Sequence, residues 1–138
     1  MAASTSKSAI SKSAKCPCGS ALKFIKCCGQ YIRQGKQPLT AEALMRSRYT
    51  AYVEGDESYL LKTWHSSTRP TQLNLEPDDM QWTKLEINAA SPCTSTDDSA
   101  TVEFVAHFKS HSQKQQLHEV SRFVKEGGCW FYVDGDVS

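Results

Sequence analysis

The amino-acid sequence predicts an α+β domain in which two helices pack on an antiparallel sheet of about four strands, preceded by a small cysteine-rich segment. Four cysteines fall within thirteen residues near the start of the chain. Apolar residues then recur at helical intervals up to residue 64, and four runs of alternating apolar and polar residues follow. Helices followed by consecutive strands are typical of the α+β class. With 138 residues, 39% of them apolar, the chain can form one core and a small appendage.

The start of the chain predicts a disordered tail. Residues 1–14 are rich in serine and lack the apolar centre of a secretory signal. They also contain no arginine, which argues against an organelle transit peptide. We therefore divide the chain into a tail, residues 1–14, a cysteine-rich segment, residues 15–36, and an α+β domain, residues 37–138.

The cysteine spacing predicts a zinc site. Cys16, Cys18, Cys27 and Cys28 form the pattern C-x-C-x8-C-C, in which two close pairs are separated by a turn. Four thiolates close a tetrahedral coordination sphere, so we expect one structural zinc ion per chain rather than a hydrolytic one. The alternative is a pair of disulfides, but adjacent cysteines bridge each other only with strain. Retained thiols around zinc are typical of a reducing cytoplasm, which is the location that we expect.

This segment resembles the SEC-C motif, known from the C-terminal tail of the SecA translocation ATPase. The matching residues are Cys16, Cys18, Gly19, Ser20, Lys23, Lys26, Cys27 and Cys28. SecA often has histidine at the fourth ligand position, where this chain has Cys28. The resemblance implies a zinc-stapled interaction module, which in SecA docks partner proteins, and it does not imply catalysis.

Charge is distributed unevenly along the chain despite a net charge of +1. Residues 1–36 carry +7 with no acidic residue, and the remainder carries −6. The pattern predicts a basic appendage whose lysines either offset the thiolate charge or present a docking surface to a partner protein. No basic run is interleaved with aromatic residues, which argues against nucleic acid as the partner.

Two helices are predicted after the basic segment. Thr40 is a candidate N-cap, with Leu39 and Leu44 placed as a hydrophobic staple, and Gly55 ends the first helix. Asp56 can cap a second helix that runs through Trp64. No apolar run approaches the roughly 20 residues that a membrane helix needs, so we expect no membrane association.

Four strands are predicted after a loop at residues 70–81. The apolar positions alternate over residues 85–89 and 101–108, a third run covers residues 116–125, and a fourth covers residues 129–133. Residues 109–115 are expected to form a turn. Gly127 and Gly128 predict a tight hairpin turn between the last two strands.

Nearly the whole chain, from residue 16 to residue 138, resembles the YchJ-like family. Two segments carry this resemblance, LMRSRYTAYVEGDESYLLKTWHSSTRP and LHEVSRFVKEGGCWFYVDG. The resemblance implies a cone-shaped, nuclear-transport-factor-like fold, in which a curved sheet wraps round helices and leaves a pocket. Folds of this type often pair through the open sheet face, so a homodimer is an expectation. The fold implies no particular activity, since it hosts enzymes and binding modules alike.

Glu119 is the most notable titratable residue of the predicted core. It alternates with Phe123 on the third strand, so an inward Phe123 brings the carboxylate inward too. We expect Arg46 or Arg48 to pair with it. The enzymatic alternative places Glu119 or a histidine in the pocket as a general base beside Tyr49 or Tyr132. Its candidate histidines are His65, His107 and His118, although a helix C-cap is the commoner role for His65.

The residues together favour a binding protein. The basic zinc segment is expected to dock on its own domain or to contact a partner protein, and the alternative is a small-molecule carrier or enzyme that uses the pocket. Aromatic residues are interpreted as core rather than as a ligand cage. Outside the cluster, Cys129 is predicted to be a small buried residue and Cys93 an exposed thiol.

Overall fold

The computed structural model describes residues 10–73, 75, 80–91 and 98–138. A 3₁₀ turn (Phe24–Lys26) leads into α1 (Cys28–Ile32), followed by α2 (Ala41–Glu54) and α3 (Glu57–Lys62). The strands are β1 (Met80–Ala90), β2 (Ser99–Ser110), β3 (Gln113–Glu126) and β4 (Cys129–Val137). They form one antiparallel sheet in the order β1-β2-β3-β4, which confirms the α+β prediction.

Helix α2 begins and ends where its sequence predicts. The Thr40 hydroxyl accepts a hydrogen bond from the Ala43 N–H at 3.0 Å, and Gly55 closes the helix with a φ of 74°. The predicted staple is wrong, because Leu39 is 85% exposed while Leu44 is fully buried. Leu44 is taken up by the core, so it offers no partner to Leu39.

Helix α3 is shorter than predicted. Asp56 caps it by accepting from the Tyr59 N–H at 3.0 Å, but the helix ends at Lys62. Beyond it, Tyr132 in β4 donates its N–H to the Thr63 carbonyl and accepts from the His65 N–H. The sheet therefore takes the backbone groups that would have continued the helix to Trp64.

Strand β1 begins at Met80, within the predicted loop. Register shifts against β2 fall between Trp82 and Lys84 and between Ile87 and Ala89. Each shift lets one residue bulge out, which returns the next apolar residue to the inner face. Bulges also bend a strand, and two of them in one edge strand favour the curved sheet that the resemblance implies.

Both tight turns of the sheet use backbone with positive φ. Gly127 and Gly128 connect β3 to β4 as predicted, with φ of 58° and 81°. The β2–β3 turn is tighter than expected, because the strands continue to Ser110 and from Gln113. His111 and Ser112 form this turn with φ of 53° and 67°.

The core lies between α2 and the inner face of the sheet. Its members from the helix, the sheet and the cysteine segment form one cluster: Leu44, Met45, Tyr49, Leu85, Val102, Phe104, Ala106, Phe123, Trp130, Phe24 and three cysteines. A smaller cluster of Ala51, Tyr59 and Leu60 joins α2 to α3. Among the described helices, none has the length and apolarity to cross a membrane.

Candidate metal centre and adjoining pocket

The first cysteine pair lies on a tight turn. The Gly19 N–H donates to the Cys16 carbonyl at 3.3 Å, and Gly19 has a φ of 86°, which L-residues with side chains rarely adopt. A Cβ at Gly19 would also lie 3.4 Å from the Leu85 carbonyl of β1. Cys16 itself donates its N–H to the Leu22 carbonyl at 2.8 Å. The turn is therefore closed on itself and held close to the sheet.

The second cysteine pair follows the 3₁₀ turn. The Cys27 N–H donates to the Phe24 carbonyl at 3.0 Å, and Cys28 is the first residue of α1. A Cβ at Gly29 would lie 2.7 Å from the Phe24 carbonyl, so only glycine fits here without movement. Phe24 is 1% exposed and anchors the turn in the core.

The four predicted ligands converge on one point. The Sγ atoms of Cys16, Cys18, Cys27 and Cys28 all lie within 4.8 Å of one another, and those of Cys18 and Cys27 are 3.5 Å apart. A tetrahedral zinc ion with Zn–S bonds of about 2.3 Å separates its sulfurs by about 3.8 Å. Three of the four thiols are buried. The donor set therefore fits a metal ion with tetrahedral thiolate preference.

Groups around the cluster are suited to negative sulfur atoms. The Ser20 hydroxyl is 3.1 Å from the Cys27 Sγ, and the Thr50 hydroxyl is 3.7 Å from the Cys16 Sγ. Arg46 donates to the Cys18 carbonyl at 2.8 Å. Arg46 and Thr50 come from consecutive turns of α2, so one face of this helix supports the cysteine segment. Such second-sphere partners orient metal ligands and stabilise their charge.

Three thiols of the cluster have shifted pKa values, one lowered and two raised. Hydrogen bonds from Cys16 and Cys28 lower the pKa of Cys18, while the same sulfur contacts raise the pKa of Cys28. Burial raises the pKa of Cys27 to about 11. A metal ion that needs four thiolates must displace the protons of Cys27 and Cys28, so its apparent affinity rises with pH.

The basic segment docks on its own domain through α2. Arg33 forms a bidentate ion pair with Glu54, whose Oε2 also accepts from the Ile10 N–H at 3.2 Å. The Phe24 N–H donates to the Ala14 carbonyl at 2.7 Å. Residues 10–14, predicted as part of the disordered tail, are therefore bonded into the segment, and residues 1–9 lie outside the described residues. The bidentate pair and the backbone bonds favour one fixed placement.

One surface of the segment remains basic. Lys12, Lys15, Lys23 and Lys26 are exposed, and Lys15 lies opposite Lys23 in an isolated antiparallel bridge. Across the described residues, none of these lysines has a carboxylate within ion-pair distance. Leu22, which precedes Lys23 in sequence, is 53% exposed. We call these five residues the basic face.

A pocket of about 360 Å³ lies between α2 and the inner face of the sheet. Its lining is largely aromatic and includes Tyr49, Tyr52, Trp82, Phe104, Phe108 and Tyr132. Arg48 and Glu119 are the charged residues of the described lining. The aromatic residues thus belong both to the core and to a pocket wall, two roles that the sequence analysis treated as alternatives.

Comparison with known proteins places the chain in a family. The family model described as "YchJ, middle NTF2-like domain" matches residues 40–135, and the SEC-C motif matches residues 13–30. The chain belongs to the YchJ-like family. It is 45% identical over 128 residues to a UPF0225 protein of Chromobacterium violaceum, covering 91% of this chain and 94% of that protein.

Solved structures agree with this YchJ-like assignment. A SEC-C motif containing protein from Rhodopseudomonas palustris superposes with a TM-score of 0.76 at 30% identity, covering 89% of this chain and 98% of that one. A putative Ca/calmodulin-dependent kinase II association domain from Exiguobacterium sibiricum superposes with a TM-score of 0.54 at 16% identity, covering 75% and 96%. The second likeness shows the fold alone.

The prediction that Arg46 or Arg48 pairs with Glu119 in this YchJ-like domain is wrong. Glu119 accepts from the Ser121 hydroxyl at 2.6 Å and from the Tyr132 hydroxyl at 3.2 Å. Arg46 instead pairs with Glu42 and contacts the cysteine segment. Because two hydroxyls of the sheet donate to its Oε2, Glu119 has hydrogen-bond partners without an arginine.

Arg48 is buried near Glu119 without pairing with it. Its Nη1 donates to the Leu60 carbonyl at 2.8 Å and to the Thr63 hydroxyl at 2.6 Å. The guanidinium lies over the rings of Trp64, at 5.1 Å, and Tyr132, at 4.6 Å. Burial lowers the pKa of Arg48. The sequence predicts this residue only as a partner of Glu119, because the spacing of residues along α2 does not show that Arg48 lines the pocket.

The candidate histidines do not join Glu119. His65 contacts Glu126 at 2.8 Å and lies beyond the end of α3, so it is not a helix cap. His118 contacts Glu103 at 2.7 Å on the outer face of the sheet, where His107 similarly contacts Glu86. Within the described residues, Glu119 is therefore the one proposed catalytic group that lines the pocket. Cys129 is half-buried at the start of β4, and Cys93 lies outside the described residues.

Proposed function

We propose that this YchJ-like protein is a zinc-stapled binding module. Four thiolates hold one structural zinc ion, the ion keeps the N-terminal segment on α2, and the basic face of that segment docks an acidic partner protein. The observation that carries the proposal is the convergence of the four cysteine Sγ atoms within 4.8 Å at the base of the segment.

Zinc is the metal that this donor set favours. A tetrahedral set of four thiolates selects zinc or iron among the common divalent ions, and zinc needs no redox partner. All four positions are filled by protein sulfur, so no site is open for water or substrate. When bound, the ion would supply a crosslink between the two cysteine pairs and not a hydrolytic centre.

The basic face supports the docking role. Its four lysines make no ion pair within the described chain, and Leu22, adjacent to Lys23 in sequence, is an exposed apolar residue of the same segment. A like-charged surface of this kind attracts an acidic partner, while an exposed leucine adds contact area once the partner is bound. The segment is held rigid by α2, which lowers the ordering cost of binding.

Elemental analysis tests the zinc site first. Protein purified without a metal-affinity tag should contain about one zinc per chain, with four thiols protected until a chelator is added. Iron in place of zinc would correct the metal. No metal, together with four reactive or oxidised thiols, would overturn the site and direct attention to redox chemistry of the same cysteines.

Fluorescence anisotropy with a labelled glutamate-rich peptide tests the docking role. Lys15→Ala combined with Lys23→Ala should weaken binding about tenfold or more at low salt and flatten its salt dependence. The matched control is Lys109→Ala with Lys114→Ala, an exposed cross-strand lysine pair on the β2–β3 hairpin, away from the segment. Equal losses in both variants would show non-specific attraction, and tighter binding of single-stranded RNA would replace the protein partner with a nucleic acid.

Small-molecule binding by the pocket is a second candidate function. The favouring observation is the pocket itself, which reaches the size of known ligand sites and combines an aromatic wall with two charged groups. The separation of the histidines from Glu119 supports a carrier or sensor of a ligand more than an enzyme.

A further inference from the structure

Arg48 is a buried cation that makes no ion pair with the described residues. Arg48 is 3% exposed, yet no carboxylate of the described residues lies within ion-pair distance of its guanidinium. Glu119, the other charged residue of the lining, is bonded to Ser121 and Tyr132 instead. A buried cation without a counter-ion is costly and is normally paired or bound to a ligand.

Arg48 lines the pocket and has hydrogen-bond donors that the described residues do not use. Both of its protein hydrogen bonds come from Nη1, so Nε and Nη2 make none with the described residues. The pair Nε and Nη2 is one edge of the guanidinium, and that edge matches the two oxygens of a carboxylate. The Leu60 carbonyl and the Thr63 hydroxyl hold Nη1, and these two hydrogen bonds fix the plane of the guanidinium without a ligand.

The remainder of the pocket is suited to a flat apolar group. Trp82 lies 5.4 Å from Phe108, 6.2 Å from Tyr49 and 6.0 Å from Tyr52, measured between ring centroids. Among the described residues, the buried Trp82 Nε1 has no hydrogen-bond partner, so this end of the pocket offers one donor to a ligand within an otherwise aromatic wall. Aromatic side chains favour stacked or edge contacts with planar ligands.

We propose that the pocket binds a small organic monocarboxylate with a planar apolar body, whose carboxylate pairs with Nε and Nη2 of Arg48. The proposal rests on the pocket-binding function given above as the second candidate. Glu119 lies on the same lining and repels additional negative charge, which favours a monoanion over a dicarboxylate or a phosphate ester.

Matched pairs of acid and amide test the charge of the ligand. Benzoate, phenylacetate and indole-3-acetate are titrated into the metal-loaded protein beside their neutral primary amides, and the Trp82 indole N–H signal is followed by nuclear magnetic resonance. At least one acid should bind with a dissociation constant below about 1 mM, at least tenfold tighter than its amide. A dicarboxylate of the same ring should bind more weakly than the monocarboxylate.

Variants locate the carboxylate. Arg48→Met should remove the preference for acid over amide, while Arg122→Met, the same change on the exposed outer face, should leave it intact. If Arg48→Met does not fold, Glu119→Gln decides the same point without touching Arg48. It should tighten binding of the acid several-fold and leave the amide unchanged, because it removes a like charge.

The six probes and a variant that fills the pocket distinguish failure of the anion proposal from failure of the pocket function. Equal binding of acids and amides, with loss on filling the pocket through Ala106→Met, would keep the pocket function and overturn the anion proposal. No binding by any of the six probes at 10 mM, on the order of the weakest useful affinity, would overturn both. Acid binding that survives Ala106→Met would place the site elsewhere and overturn the proposal as well.

Discussion

At the scale of single residues, we expect the hydroxyl of Thr50 to affect metal affinity although it is not one of the predicted ligands. It lies 3.7 Å from the Cys16 Sγ on a buried face of α2. We expect Thr50→Val, which keeps the side-chain shape, to weaken metal affinity about tenfold, because the thiolate loses a stabilising donor. Competition with a chromophoric chelator measures the change.

Ser47 provides the control for Thr50. It is equally buried on α2, but its hydroxyl contacts the Leu44 carbonyl and the Tyr59 hydroxyl rather than a cysteine. Ser47→Ala should lower the free energy of unfolding by about 1 kcal/mol and leave metal affinity unchanged. If Thr50→Val binds the metal as tightly as Ser47→Ala does, the Thr50 hydroxyl does not stabilise the thiolate of Cys16.

Asp136 offers a pH-dependent test on the outer face of the sheet. The guanidinium of Arg122 lowers the pKa of this carboxyl below its usual range. A lowered pKa means that the ion pair stabilises the fold at neutral pH and loses this effect as the pH falls through the folded value. Arg122→Leu should therefore raise the pKa of Asp136, as followed by carboxyl carbon resonance.

Glu86 serves as the internal reference in that titration. Glu86 lies in β1, at the opposite edge of the sheet from β4, and its pKa is lowered chiefly by the hydrogen bond with His107. Arg122→Leu should leave the pKa of Glu86 where it is. A parallel rise in both carboxyls would indicate a general loss of structure, and an unmoved Asp136 would contradict the assigned pairing.

Residue identities predicted the metal ligands but not their surroundings. The four cysteines are recognisable because ligand spacing within a short loop is a local property. Thr50 and Arg46 are far from the cysteines in sequence, and the sequence predicts that Arg46 or Arg48 pairs with Glu119. The available signal was their spacing of four on α2, which places them on one face without saying what covers it.

At the scale of elements, the β2–β3 turn carries strain that can be relieved. Ser112 has a φ of 67°, a conformation that costs residues with a Cβ about 1 kcal/mol or more. Two-residue turns of this type favour glycine at the second position. Ser112→Gly should therefore raise the free energy of unfolding by roughly 0.5–1 kcal/mol, as measured by chemical denaturation.

Ser110 is the matched position for this change. It is also a serine of the same hairpin, but it lies in the regular part of β2 opposite Gln113. Ser110→Gly should lower stability by roughly 0.5–1 kcal/mol, because glycine loses more conformational freedom in a strand. If both substitutions change stability in the same direction, the turn is not strained.

Strand β1 shows why element boundaries were harder to predict than elements. Alternation identified Leu85 and Ile87 as inner residues, and the structure agrees. It also implied an inner Ala89, which is exposed because a bulge after Ile87 moves Ala90 inward. The bulge before Lys84 likewise keeps Trp82 in the pocket. A strict period of two cannot anticipate either shift.

At the scale of the whole molecule, metal removal should loosen the N-terminal segment from α2. Phe24 of the segment and Leu44 of α2 belong to one buried cluster and are 1% and 0% exposed. Free zinc at a hundredfold excess over its dissociation constant stabilises a protein by about 2.7 kcal/mol. Chelation should remove a contribution of this order and raise hydrogen exchange in α2, as measured by denaturation and mass spectrometry.

Cysteine variants separate the metal effect from chelator artefacts. Cys27→Ser should reproduce the destabilisation without chelator, whereas Cys129→Ser, outside the cluster, should behave as wild type in both assays. Unchanged exchange in α2 after complete zinc loss would show that Arg33, Glu54 and the buried Phe24 hold the segment by themselves.

The amino-acid sequence by itself determined the cysteine cluster, the helix caps at Thr40 and Asp56, the glycine turn and the α+β class. Each depends on the spacing of residues that are close along the chain, where geometry follows directly from local conformation. Only the tertiary structure decided that Arg46 supports the cysteine segment, that Arg48 faces the pocket and that the histidines lie apart from Glu119. These contacts join residues brought together by helix packing and by the bulges of β1, so no short-range pattern encodes them.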